Sequence, residues 1–175
     1  MNLLPAIARF DECDNDAADE SLRAWGHWLG GCNRPFGRQS FGLWFDGALV
    51  GVAVSASTVN GKCGCFVRSE VVELARLCCH PDHRDLTRVL LRLWRKSALA
   101  NWSQRYWPCI AAVSYANAIR HKGDIYRFDG WVKIADVRGG VAGQTWQDKG
   151  KRKSYDPKSV WAWPKEAVAA KEAAA

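Results

Sequence analysis

Between Val71 and Trp131 the chain carries two apolar runs separated by an amphipathic stretch. Val71 to Cys79 is apolar except at two charges and reads as a strand. The turn His80-Pro81-Asp82-His83-Arg84-Asp85 follows. From about Leu86 the apolar positions Leu86, Val89, Leu90 and Leu93 recur at helical spacing, so one face of a helix is buried. A second apolar run, Cys109 to Tyr115, leads into a segment closing on Gly130-Trp131. Strand, helix and strand in one unit predict a βαβ crossover with the two strands parallel and adjacent.

The flanking pattern supplies the rest of a sheet. Leu3 to Phe10 reads as an edge strand and Asp11 to Glu20 as an acidic loop. A helix is expected from about Asp19 to Leu29, with Leu22, Trp25, Trp28 and Leu29 on one face. Asp16 or Asp19 is its candidate N-cap and Gly30-Gly31 its stop. Phe41 to Ser57 is two apolar runs around Asp46-Gly47, a hairpin signal. Thr58 to Ser69 reads as a polar flap. Trp131 to Val137 and Ser159 to Trp163 read as strands around a long polar loop, Arg138 to Ser154. The expectation is one α/β domain over 1–165, a mixed twisted sheet flanked by helices with a splayed central strand pair. An alanine-rich flexible tail, 166–175, completes it.

At 175 residues, 48% hydrophobic and 25% charged, the chain is long enough to bury a core without staples. No apolar run approaches the roughly 20 residues that span a bilayer, and the N-terminus turns acidic too early for a signal peptide. The expectation is a cytoplasmic protein with no membrane partner. Of the seven cysteines, four sit in close pairs, Cys63 with Cys65 and Cys78 with Cys79. They read as reduced thiols, because a zinc site would need a second ligand pair.

Charge changes the picture more. The net charge of +7 suits a polyanionic partner. Arg84, Arg88, Arg92, Arg95 and Lys96 form a stripe on the predicted helix, either a solvated face or a phosphate-binding one. Lys151, Arg152 and Lys153 form a second basic cluster in the long loop. Of the ten tryptophans, Trp44, Trp94 and Trp131 fall in core-periodic segments. Trp25, Trp28, Trp146, Trp161 and Trp163 are candidates for a base-stacking surface. Glu73 and Arg76 are charges inside a central strand, which demands partners or a function. Their odd spacing puts them on opposite faces of a regular strand.

The segments Glu73-Leu-Ala-Arg-Leu77, Val113-Ser-Tyr-Ala-Asn117, His121-x-Gly123-x-Ile125-Tyr126 and Gly130-Trp131 occur in that order. With His27-Trp28, the Asp46-Gly47 hairpin and the closing Ser159–Trp163 strand, they resemble Mom-type phage DNA-modification proteins. Those are a divergent branch of the GNAT (N-acetyltransferase-like) fold, and the resemblance covers roughly Trp25 to Pro164. It implies transfer of a carbamoylmethyl, glycinamide-type group to the exocyclic amino group of adenine in double-stranded DNA, protecting that DNA from restriction. The donor it implies is acetyl-coenzyme A or glycyl-tRNA. A bound metal is also linked with the family, though no ligand set is visible.

Chemistry assigns expected roles to the matching residues. A flipped adenine needs stacking walls and edge hydrogen bonds, from Trp28, Tyr115, Asn117 and His121. Arg76 and Ser114 would stabilise charge at the reacting carbonyl. His27 or Asp124 would take a proton and Tyr126 give one. Asn117 stands where the family carries Asp, so it cannot be the base. The turn after the first strand lacks the glycines with which acetyltransferases cradle a pyrophosphate. That absence favours a tRNA donor, with the basic helix contacting nucleic acid. The alternatives are an ordinary N-acetyltransferase using acetyl-coenzyme A on a small amine or protein, and a non-catalytic nucleic-acid-binding protein on the same fold.

Overall fold

The computed structural model of the chain describes residues 8–141 and 154–174. In order, the elements are β1 (Ala8–Cys13), α1 (Asn15–Ala24), β2 (Arg38–Phe45), β3 (Ala48–Ala56), β4 (Lys62–Cys63), β5 (Phe66–Val67), β6 (Val71–Cys79), α2 (Thr87–Arg105), β7 (Ala111–Asn117), α3 (Asp124–Arg127), β8 (Val132–Val137), β9 (Gly140–Val141), β10 (Ser154–Tyr155), β11 (Lys158–Trp163) and α4 (Lys165–Ala173). Seven strands form one sheet in the order β1-β2-β3-β6-β7-β11-β8. Every pairing in it is antiparallel except β6 with β7, the predicted crossover pair. The architecture is therefore the expected α/β domain with a mixed sheet.

The sheet is covered on both faces. On one, α2 buries Leu90, Leu91, Trp94, Ala98 and Trp102 against Phe41, Leu43, Val50, Val72 and Leu74. On the other, Ala18 and Leu22 of α1 meet Val52, Val54 and Ala56 of β3. Trp94 and Trp131 are core residues as expected. Trp44 instead lies at the sheet margin, half-buried, with the Arg9 guanidinium 4.1 Å above its ring.

Several boundaries differ from the sequence reading, each for a local reason. Strand β1 runs through Asp11 and Glu12 to Cys13, because its edge position lets those charges face solvent. Helix α1 starts four residues earlier than expected, with Asp14 as N-cap accepting from the N–H groups of Asp16 and Ala17. It ends at Ala24 because Gly26, at φ +71°, unwinds it before Gly30 is reached. The segment 58–69 is not a free flap. Cys63 and Phe66 are buried and pin a β4–β5 hairpin against Val160 and Val168. Residues 165–173 are not a frayed tail but a helix, α4, with Val168 buried and Lys171 paired to Glu70. The long loop closes through β9 and β10; Lys151, Arg152, Lys153 and Trp146 lie outside the described residues.

Strand β6 holds the feature that shapes the site. Arg76 pairs with Val54 and Leu74 with Ser55, so Ala75 is an extra residue, a β-bulge. The bulge reverses the side-chain alternation. Val72 and Leu74 before it, and Leu77 and Cys79 after it, all pack toward α2. Glu73 and Arg76 consequently share the opposite face, correcting the expectation that they point apart. Past Glu73 and Val113, the last partnered residues, β6 and β7 separate.

The segment 25–32 is held over this gap by charge. Asp19 accepts from Arg38 Nη2 at 2.7 Å, from Arg38 Nη1 at 3.1 Å and from the Cys32 N–H at 2.9 Å. Burial pushes the Asp19 carboxyl up, but the Arg38 and Cys32 hydrogen bonds more than reverse this and hold it below its ordinary value. A depressed carboxyl stabilises the fold above its unfolded pKa and loses that contribution as pH falls through the folded one. Asp19→Ala is expected to cost about 2–4 kcal/mol at neutral pH by stranding Arg38. Urea unfolding measured from pH 7 downward is expected to bring the variant and wild-type curves together in acid.

Candidate active site

Where β6 and β7 diverge they leave a cleft of about 250 Å³. Its walls are β6 (Leu74, Ala75, Arg76, Leu77), β7 (Ser114 to Asn117), the turn after α1 (His27, Trp28, Leu29), the start of α2 (Thr87) and the α3 region (His121, Ile125, Tyr126). A recess of about 100 Å³ adjoins it, sharing Trp28, Arg76 and Tyr115 and adding Arg34, Glu73 and Lys158. The two meet along a shared wall of Trp28, Leu29, Ala75, Arg76 and Tyr115, and together are called the passage.

Splitting a sheet orphans backbone groups, and a buried carbonyl needs a donor. Ser114 supplies it: its Oγ donates to the Leu74 carbonyl at 3.1 Å. That leaves the Ser114 oxygen as acceptor for the Tyr126 hydroxyl, 2.9 Å away. Tyr126 is buried, stacked on Trp161 at 5.7 Å and against the edge of Trp131 at 5.3 Å. Burial pushes its pKa above the ordinary tyrosine value, so it keeps its proton and presents a donor. Gly123 permits this arrangement, since a Cβ there would stand 2.3 Å from the Trp161 ring and its φ is +78°.

The candidate bases separate clearly. His27 Nδ1 accepts from the Leu29 N–H at 3.3 Å, so in the neutral ring the proton sits on Nε2. Burial, helped by the Arg76 and His121 charges, lowers its pKa to about 4. His27 is therefore a neutral donor at the cleft rather than a base. Asp124 lies at the exposed start of α3, 3.7 Å from Arg127, and is not among the lining residues. Glu73, which the sequence reading left without a role, is 4% exposed and ion-paired with Arg34 at 2.7 Å. Its Oε2 has no hydrogen-bond partner among the described residues, and burial raises its pKa despite the nearby arginines. It is the buried carboxylate of the passage.

Other expected residues take structural duties. Arg76 donates from Nε to Gly30 O at 3.1 Å, from Nη2 to Gly31 O at 2.8 Å and from Nη1 to Ala75 O at 2.7 Å. It clamps the His27 turn onto the bulge, which leaves two of its five N–H groups for a ligand. Asn117 is buried. Its Oδ1 accepts from the Ile119 and Arg120 N–H groups, and its Nδ2 donates to Asp156 at 2.7 Å. Its amide ends β7 instead of reading a base. Tyr115 is half-buried at the neck, beside the Cys63 thiol. Trp28 is 39% exposed at the mouth, with Arg120 5.6 Å from its ring and the exposed His121 on the same rim. Trp161 is core, not surface, and Trp163 packs under Arg95.

The helix stripe is partly occupied. Arg92 binds Asp129 at 2.9 Å, Arg95 binds Asp129 through its backbone and side chain, and Arg88 donates to the Phe128 carbonyl at 3.4 Å. Arg84 is exposed in the preceding turn, where Pro81–Leu86 coils into a 3-10 helix. That turn has no glycine, and Asp82 and Asp85 lie within it. Among the described residues no group of three or more His, Cys, Asp or Glu side chains converges as a metal site. No helix among them is long and apolar enough to cross a membrane.

Neither a protein-family model nor a curated protein matches the chain. Solved structures do. A spermidine N-acetyltransferase chimera from Vibrio cholerae and hSSAT superimposes with TM-score 0.61 at 8% identity, over 93% of this chain and 98% of its own. Aminoglycoside 6'-acetyltransferase type Ii gives 0.56 at 15%, over 89% and 96%. A GNAT-family acetyltransferase from Streptococcus pneumoniae gives 0.53 at 11%, over 90% and 99%. At these identities the likeness establishes the fold, that of the GNAT acetyltransferases.

The His27 environment makes a pH signature. A histidine whose folded pKa lies below its unfolded value destabilises the fold as pH drops below about 6.5, where the unfolded ring takes up the proton first. NMR titration is expected to show His27 neutral down to about pH 4. In His27→Gln the part of the acid destabilisation between those values is expected to disappear.

Proposed function

We propose that the protein is an acyltransferase that moves an acyl group from a thioester donor of the acetyl-coenzyme A class to an amine. The observation that carries this reading is the passage at the split in the sheet. A buried carboxylate, Glu73, stands at one end, and a hydroxyl pair, Ser114 and Tyr126, at the other. Acyl transfer asks for such an arrangement. The amine nitrogen must lose a proton as it bonds to the donor carbonyl carbon, and the sulfur must leave with its electron pair stabilised. Glu73, with its pKa raised by burial, is the acceptor for the amine proton. Tyr126, held protonated, turns its O–H from Ser114 to the departing thiolate, while Ser114 stays bonded to the Leu74 carbonyl. His27 Nε2–H and the free N–H groups of Arg76 face the same space and suit an oxyanion. The solved neighbours favour this donor, since one GNAT-family acetyltransferase of the fold, from Elizabethkingia anophelis, has acetyl-CoA bound.

A second reading follows from the walls of the neck. Trp28 and Tyr115 offer π faces, while Arg34, Arg120 and Lys158 offer positive charge around them. That suits a flat, neutral base carried on an anionic backbone, such as a flipped nucleotide. With the resemblance of the Glu73–Leu77, Val113–Asn117 and His121–Tyr126 segments, it supports transfer of a carbamoylmethyl-type group to adenine in DNA. The turn after β6, coiled and without glycine, does not offer the backbone cradle of a pyrophosphate site, which favours glycyl-tRNA as donor in this reading.

Nucleosides from DNA of bacteria expressing the wild-type chain or Glu73→Gln, analysed by mass spectrometry, separate the two readings. A heavier adenine nucleoside present only with wild type supports DNA modification. Acetyl transfer to amines in vitro with unmodified DNA supports the first reading, and the absence of both overturns both. In either assay Glu73→Gln is expected to lower kcat about 10²–10⁴-fold. Wild-type kcat/KM is expected to rise with pH through an acid limb above the ordinary carboxylate range, a limb that Glu73→Gln removes.

A further inference from the structure

Arg34 lies outside every helix and strand, in the segment between the His27 turn and β2. That segment is anchored on both sides of it. The Cys32 N–H donates to Asp19 at 2.9 Å, and the Cys32 carbonyl accepts from Arg38 Nη1 at 2.6 Å. The Gly37 carbonyl accepts from the Ser57 N–H at 3.2 Å, and the Arg38 N–H donates to the Tyr106 hydroxyl at 3.0 Å. None of these contacts uses the Arg34 side chain, so the segment does not need it to stay in place. The guanidinium instead lines the recess, 14% exposed, with Nη2 donating to Glu73 Oε1 at 2.7 Å.

Among the described residues Arg34 is the one ion-pair partner of Glu73. Arg76, on the same strand, commits three N–H groups to the carbonyls of Gly30, Gly31 and Ala75. Lys158 of β11 lines the same recess, and its charge acts on Glu73 from a distance. The other titratable groups within reach of that carboxylate, Cys63, Tyr115 and Tyr126, are neutral, because burial makes each hold its proton. Burial pushes the Glu73 carboxyl up, and Arg34 leads the three cations that oppose it. Without that cation, a carboxylate in so dry a place would take a proton from water and cease to be a base. The bond also divides the two oxygens. Oε1 is occupied, and Oε2 has no hydrogen-bond partner among the described residues.

We propose that Arg34 is a positioning residue for the transfer step, holding Glu73 charged and fixed by one oxygen so that the other can accept the amine proton. This rests on the reading of Glu73 as proton acceptor. The amine lone pair forms the new bond to carbon, the N–H pair stays on nitrogen, and the proton passes to Oε2. With a thioester donor the carbon–sulfur pair leaves on the thiolate, which Tyr126 protonates. Glu73 is then a neutral acid beside the Arg34 cation, which favours return of the proton to water and restores the carboxylate for the next turnover. Arg34 touches neither amine nor donor and acts through Glu73 alone.

Carbon-13 NMR titration of the glutamate carboxyls in the full chain tests the charge, with Glu73→Gln assigning the resonance. Arg34→Met is expected to raise the Glu73 midpoint by about 1–3 pH units, the loss of a close opposite charge. Arg34→Lys keeps the charge and is expected to hold the midpoint within about half a unit of wild type. In whichever transfer assay is active, the acid limb of kcat/KM is expected to move up with that midpoint, with about a tenfold loss per unit below it. Arg34→Met strands a buried carboxylate and can unfold the chain, so a second variant, Arg34→Met combined with Glu73→Gln, leaves no charge stranded. Its kcat is expected to match that of Glu73→Gln within about twofold. Three results would each overturn the proposal and leave Glu73 as the base: a midpoint that Arg34→Met does not move, a fall in rate that is equal at every pH, or a double variant about tenfold slower than Glu73→Gln. A Glu73→Gln variant as fast as wild type would instead remove the base, and the positioning role with it.

Discussion

A strand given one residue too many cannot stay in step with both neighbours. Ala75 is that residue, and most of what is distinctive in this molecule follows from it. Strand β3 absorbs the irregularity and remains paired to the end of β6. Strand β7 does not, and its parallel ladder with β6 stops after three partnered residues. The backbone groups beyond that point need other partners. Ser114 takes the Leu74 carbonyl, and Tyr126 in turn takes Ser114. The hydroxyl pair thus repairs the sheet and equips the cleft with the same atoms.

The reversed alternation also decides which charges meet. Without the bulge Arg76 would face α2 and the apolar core, with no carbonyls to receive it. With it, the guanidinium reaches Gly30 and Gly31 and draws the turn carrying His27 and Trp28 across the gap. Asp19 and Arg38 hold the next residues of that turn from the other side. Two cations and one carboxylate, all largely buried, therefore set the height of the roof over the passage.

The architecture was legible because it rests on apolar periodicity. The Val71 and Cys109 runs, the helix between them and the Asp46-Gly47 hairpin each carry enough apolar positions to outweigh local exceptions. The resemblance also drew attention to residues that do line the cleft, among them His27, Trp28, Ser114 and Tyr126. What the sequence concealed was parity and partnership. A bulge adds no unusual residue type, since alanine fits it, so Glu73 and Arg76 read as pointing apart. Asp124 read as a catalytic carboxylate because it sits between two motif residues, yet a helix start at the surface holds it away from the lining. The Arg88 and Arg92 side chains read as a free stripe, because nothing in the sequence says that residues 128 and 129 fold back onto them. The early stop of α1 had a visible signal, Gly26, in the middle of an apolar helical pattern.

The order in which the chain supplies the site has a consequence for how it can form. Trp161, the surface on which Tyr126 lies, belongs to β11, which inserts between β7 and β8. Among the described residues strand β8 has no other neighbour in the sheet, although it precedes β11 by some twenty residues. Neither β8 nor the bed of Tyr126 can therefore settle until that late strand has threaded into the middle. Contacts so distant in sequence are slow to make. On a ribosome, the half of the sheet from β1 to β7 can assemble while its cleft is still open on one side, and the hydroxyl relay becomes ordered only when the closing strand arrives.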